Sequence, residues 1–163
     1  MDFGDAVKLL RSIPLFAKVD PAKLKLLAFA SDYLTFDDGE ILAREGDHAD
    51  TVFIIEEGDV DVMSRVGDLD IAVAQLGRHA LIGEMAIFRN TTRSATLRAR
   101  GKVGVLSLAG DMFLRTVTEN PDAALVVMRI LSEKIAMATN MFENSEARLK
   151  HIEMQAESDE NNG

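Results

Sequence analysis

Glu84 and Arg93 stand nine residues apart in the segment LIGEMAIFRNTTRSATLRAR, which runs from Leu81 to Arg100. Their side chains offer complementary chemistry. A guanidinium can donate two parallel hydrogen bonds to phosphate oxygens. A carboxylate accepts hydrogen bonds from hydroxyls. Gly83 precedes the acid, and EMAIF reads as one helical turn. The first N–H groups of such a turn have no partner inside it, so they can receive an anion. Gly83 removes a side chain that would block close backbone approach. The turn and Arg93 together describe a cradle for one phosphate. Glu84 would repel that phosphate, so it suits a hydroxyl beside it, and a sugar hydroxyl fits. The ligand described in this way is a nucleotide with a free 2′-OH and one phosphate charge.

The charge distribution points to the same segment. The chain carries a formal net charge of -9, yet Arg78, Arg89, Arg93, Arg98, Arg100 and Lys102 cluster with a single acid, Glu84. A local anion site is the expected reason for the cluster. The acidic whole argues against broad contact with nucleic acid or anionic lipid. There is no Cys, so disulfides, thiolate metal sites and thiol nucleophiles are excluded. His48, His79 and His151 do not pair on a strand, so no metal site of a cupin-like metalloenzyme is expected. No paired carboxylates sit in the segment, and neither a catalytic residue nor a cofactor is expected. The N-terminus does not read as a signal peptide. No apolar run approaches the roughly 18 residues that span a membrane. A cytoplasmic location is the expectation.

The elements that must position these residues follow from periodicity. Residues 5–11 and 21–30 read as short helices, the second with Asp20 as cap and Pro21 at its first position. From Tyr33 the period becomes two. YLTF, EILAR, TVFII, DVDVMS, DIAVAQL, SATLRA and KVGVLSL read as strands, separated by Asp38-Gly39, Glu45-Gly46-Asp47, Gly58-Asp59, Gly67-Asp68 and Gly77. Short strands at this spacing predict a sandwich or barrel. After Asn120-Pro121 a long helix is expected, because residues 122–155 hold no Gly or Pro. Ala124, Met128, Leu131, Ile135, Ala138, Phe142, Leu149 and Ile152 form a heptad seam in it, with Ser145 as the polar gap. A seam of this length points to a second copy, a homodimer through the helix. The polar tail 156–163 is expected to be disordered.

Gly83, Glu84, Met85, Ala86 and Ile87, followed by Arg93, Ser94, Ala95 and Thr96, resemble the phosphate-binding cassette of the cyclic nucleotide-binding domain family. That family includes bacterial catabolite activators, regulatory subunits of cAMP-dependent kinase and cyclic-nucleotide-gated channels. DDGEILAREGD and FIIEEGDVDV extend the resemblance, which covers about residues 5–138. It implies a mainly β fold, a jelly roll or double-stranded β-helix of about eight strands, with short N-terminal helices and a long C-terminal helix. The resemblance implies that Glu84 bonds the ribose 2′-OH and Arg93 the exocyclic phosphate oxygens. The amides of Met85 and Ala86 and the hydroxyl of Ser94 would assist, while Val62 and Val73 would face the purine. Lys134, Ala138 and Thr139 fall where a lid helix would cover the base. Thr92 replaces the Pro that kinase-type cassettes often place before the Arg. Ser94 leaves cAMP favoured over cGMP.

The organisation expected is a ligand-binding roll with N-terminal helices over 1–120, a lid and dimerisation helix over 121–155, and the tail. The function expected is a cyclic nucleotide sensor that signals to an unknown downstream protein by repositioning its long helix. One alternative is the ligand-binding part of a transcription regulator. Direct DNA binding is not expected, because six acids and two Lys/Arg occupy residues 143–163 where a basic recognition helix would be needed. The other alternative is a degenerate member that folds alike and binds nothing.

Overall fold

Carboxylate caps start the first two helices. Asp2 accepts a hydrogen bond from the Asp5 amide at 2.8 Å and opens α1 (Phe3–Ser12). Asp20 accepts from the Ala22 amide at 2.7 Å and, with Pro21 at the first position, opens α2 (Pro21–Phe29). Each cap satisfies an amide that the helix itself leaves without a partner. A 3-10 turn, Pro14–Phe16, links the two helices. The computed structural model describes residues 1–160 of the chain.

Six strands follow: β1 (Asp32–Phe36), β2 (Ile41–Ala43), β3 (Thr51–Val66), β4 (Leu69–Leu76), β5 (Leu81–Ile82) and β6 (Thr96–Ala109). Every pairing is antiparallel. The sheet order is β1-β6-β3-β4, with β2 also on β6 and β5 also on β3. TVFII and DVDVMS, expected as separate strands, are one strand bent at Gly58. The glycine takes φ 82°, and a Cβ there would strike the Lys102 carbonyl. SATLRA and KVGVLSL likewise merge into β6 across Gly101. Turn residues inside these strands act as bends because the ladder between β3 and β6 continues past them with register shifts. Split at the two bends, the strands give eight segments, the number expected. Phe53, Ile55, Val60, Ile82, Leu97, Ala99, Val103 and Val105 fill the interior of this jelly roll.

The helices flank the roll. Between β5 and β6 lies α3 (Glu84–Arg89), and after β6 comes α4 (Gly110–Thr118). Phe113 of α4 is fully buried and meets Phe16 edge-on, with ring centroids 6.2 Å apart. Burying one such side chain stabilises the fold by about 1.5–3 kcal/mol. Asn120 then accepts from the Ala123 amide at 3.4 Å, and Pro121 starts α5 (Pro121–Glu160), as expected.

The chain divides into two compact units, one from Met1 to Ala124 and a second beginning at Leu125. The second unit is the rest of α5. The helix continues to Glu160, beyond the expected end near residue 155 and into the tail expected to be disordered. Glu157, Ser158 and Asp159 introduce neither Gly nor Pro, so nothing there removes a backbone donor or favours a left-handed stop. Residues 161–163 of that tail lie outside the described residues. Among the described residues, no helix is long and apolar enough to cross a membrane.

Candidate functional site

The path of the chain around Gly83 brings Glu84 and Arg93 to one place. β5 ends at Ile82, and Gly83, with a φ of 86°, turns the backbone into α3. Asn90, at φ 51°, ends that helix, and the Thr91 amide bonds back to the Ala86 carbonyl at 3.0 Å. The chain then runs beside the β2–β3 loop. The Arg93 amide donates to Asp47 O at 2.9 Å, the Gly46 amide donates to Arg93 O at 2.9 Å, and His48 bridges Thr92. The backbone of Arg93 is therefore pinned on both sides.

Arg93 turns its guanidinium inward, and the residue as a whole is 5% exposed. Its Nη1 donates to Gly83 O at 3.1 Å, and its Nη2 donates to Thr51 O at 2.7 Å and to Thr51 Oγ1 at 3.0 Å. It also lies 5.8 Å from the ring centroid of Phe53, a cation–π contact. Burial pushes its pKa down from the usual arginine value, and the charge of Asp50 opposes that shift. The need for glycine at 83 now has a direct cause. A Cβ there would collide with Arg93 Nη1. Gly83 makes room for the protein's own guanidinium, where the sequence suggested room for a ligand.

Glu84 is 4% exposed at the first position of α3. Met85 is half-buried and Ala86 is buried, and both lie in the first turn of α3. Ser94 is exposed next to Arg93. These residues form one neighbourhood: an amide-bearing turn, a buried carboxylate and a buried guanidinium. Such a set can receive an anionic phosphate attached to a hydroxyl-bearing group.

Val62 and Val73 sit on the β3–β4 pair, beyond the Gly58 bend from Thr51. Val62 pairs with Ala74 and with Leu97 and is half-buried against the interior. Val73 is 57% exposed at the register shift opposite Val62 and Met63. Lys134, Ala138 and Thr139 belong to the second unit, where Thr139 Oγ1 donates to the Ile135 carbonyl at 2.9 Å.

The arginine cluster does not converge on this site. Arg98 and Arg100 both reach the buried Asp61, at 3.7 Å and 3.0 Å, and Arg78 reaches Glu56 at 3.7 Å. Only Arg93 of the six is buried in the neighbourhood of Glu84. The sequence count included arginines that pair elsewhere, Arg98 and Arg100 from β6 to β3 and Arg78 from a turn to β3. It also missed Thr51 and Phe53. Both lie about forty residues before Arg93 in a run that reads as plain strand, and only the β3 topology brings them to the guanidinium.

Residues 33–120 match the family model described as the cyclic nucleotide-binding domain. The chain belongs to the cyclic nucleotide-binding domain family. A member of this family in Drosophila melanogaster, a cAMP-dependent protein kinase type II regulatory subunit, is 34% identical over 63% of this chain and 26% of its own length. A cyclic nucleotide-gated potassium channel of Mesorhizobium japonicum is 30% identical over 85% of this chain and 38% of its own. The chain thus spans well under half the length of these curated relatives. Among solved structures, the sensor domain of the Pseudomonas aeruginosa transcriptional regulator DNR shares the fold, with a TM-score of 0.76 at 21% identity. That match covers 85% of this chain and 93% of the other. By sequence the chain is thus similar to a kinase regulatory subunit and a channel, and by fold to the sensor domain.

Proposed function

We propose that the protein is a cAMP sensor that reads the cyclic phosphate with Arg93 and the ribose with Glu84. The observation that carries this reading is the buried guanidinium, for which Gly83 is kept free of a side chain, beside the buried carboxylate that opens α3. The amides of Met85 and Ala86 and the hydroxyl of exposed Ser94 complete the phosphate contacts. Val62 and Val73 supply apolar surface to the purine. Lys134, Ala138 and Thr139 form the lid on α5. The ligand binds the lid-closed arrangement more tightly than the open one, and it shifts the population by that difference in affinity. Output passes through α5 to a second copy or to a downstream protein, with no chemical step. Residues 1–120 act as the ligand-binding roll and 121–155 as the lid and dimerisation helix.

The direct test is calorimetric titration of the purified protein with cAMP, cGMP and linear 5′-AMP. The reading predicts one site per chain, tightest for cAMP and weakest for the linear nucleotide, whose doubly charged phosphate mismatches a single guanidinium. Equal binding of all three nucleotides, or binding of none, would remove it. In a second reading the chain is the ligand-binding part of a transcription regulator, an idea favoured by its likeness to a sensor domain across 93% of that domain. A gel shift with the full-length product would show whether DNA is bound.

A further inference from the structure

The guanidinium of Arg93 is oriented by the protein's own acceptors, and two of the three belong to Thr51. Nη2 meets Thr51 O at 2.7 Å and Thr51 Oγ1 at 3.0 Å, while Nη1 meets Gly83 O at 3.1 Å. Both Thr51 acceptors are fixed in place. Thr51 opens β3 and pairs with Ala109 of β6, and the carbonyl just before it, Asp50 O, accepts from the Gly110 amide at 2.7 Å. Branching at Cβ restricts the side-chain torsion, so the hydroxyl is held with the backbone. These bonds take one N–H of Nη1 and both of Nη2, so Nε–H and the second Nη1–H are the donors available to an incoming oxygen.

We propose that Thr51 is a positioning residue for the phosphate: its hydroxyl fixes the Arg93 guanidinium in the ligand-ready orientation. A buried arginine held by carbonyls alone would sample more orientations, and each binding event would carry the cost of ordering it. The hydroxyl removes part of that cost in advance. The proposal rests on the cAMP reading and adds a residue to it that acts through Arg93 rather than on the ligand.

The test uses four proteins beside the wild type: Thr51→Val, Thr51→Ser, Arg93→Ala and the double variant Thr51→Val/Arg93→Ala. Two readouts are taken. The first is cAMP affinity, titrated to millimolar nucleotide for the weak variants. The second is nitrogen-15 NMR of the Arg93 guanidinium without nucleotide, with Arg93→Ala identifying the signal. Thr51→Val should weaken cAMP binding about three- to tenfold, the size of one net hydrogen bond. Thr51→Ser should restore it. The loss should vanish in the Arg93→Ala background, because the effect passes through that side chain. Guanidinium rotation should be hindered in the wild type and Thr51→Ser, and faster in Thr51→Val. Unchanged affinity in Thr51→Val, the same loss without Arg93, or unchanged rotation would each overturn the proposal. If the wild type binds no cyclic nucleotide, the cAMP reading falls, and the NMR arm decides separately whether Thr51 holds Arg93.

Discussion

Burial gives Arg93 its leverage. Arg93 as a whole is 5% exposed, so its charge is partly removed from water and less screened than on the surface. Burial lowers its pKa, yet an arginine stays protonated at neutral pH. Glu84, 4% exposed, carries the complementary task. Glu84→Ala should cost on the order of 1.5–3 kcal/mol of cAMP binding, the scale of a hydrogen bond to a charged group. It should also abolish the preference of the wild type for cAMP over its 2′-deoxy analogue, as paired titrations would show. Gly83→Ala places a Cβ on Arg93 Nη1 at a left-handed φ. The backbone strain alone is about 1–2 kcal/mol, so a lower melting temperature and weaker binding should appear together. Tyr33 offers a test by pH. Its pKa is raised from 10.0, first by burial and then by the charge of Glu56, to which its hydroxyl donates at 3.2 Å. The protonated form is favoured by folding, so this contribution is complete below pH 10 and is lost as pH rises toward the folded-state pKa. Urea unfolding across that range should fall less steeply for Tyr33→Phe than for the wild type.

At the scale of elements, α4 is fitted closely to the cassette. Gly110 lies where a Cβ would come within 2.6 Å of the Ile87 side chain and 2.9 Å of Asp50 O, and Phe88 meets Phe113 at 5.6 Å. Ile87 can shift, but the Asp50 carbonyl is backbone. Gly110→Ala should therefore destabilise the protein by about 1–3 kcal/mol, the usual cost of overpacking, measurable by chemical unfolding. How much of this was legible beforehand differs by element. Asp20-Pro21 and Asn120-Pro121 announce helix starts because capping is local chemistry, and both appear where expected. The strands were legible from alternation, but Gly58 and Gly101 look like turns and act as bends. Only the partner strand decides between those outcomes. That Glu84 and Arg93 share one neighbourhood was legible because only nine residues and one helical turn separate them. The partners of Arg98, Arg100 and Arg93 were hidden, because Asp61 and Thr51 come from a strand roughly forty residues earlier.

At the scale of the whole molecule, α5 carries Met128, Ile135, Phe142 and Leu149 at intervals of seven, each more than 60% exposed. An apolar seam of that period is matched by the same seam on a second copy. Each large side chain buried there would contribute about 1.5–3 kcal/mol. The wild type should therefore sediment as a dimer, and Ile135→Asp/Phe142→Asp as a monomer with an unchanged β signal in circular dichroism. A wild-type monomer at all accessible concentrations would exclude this use of the helix. The account as a whole turns on Arg93, and calorimetric titration of cAMP into the wild type and Arg93→Ala tests it most directly. It predicts saturable binding to the wild type and a loss on the order of 2–5 kcal/mol in the variant, because the ligand's charge would be left unpaired in a buried site. Equal affinity in the two folded proteins would contradict it.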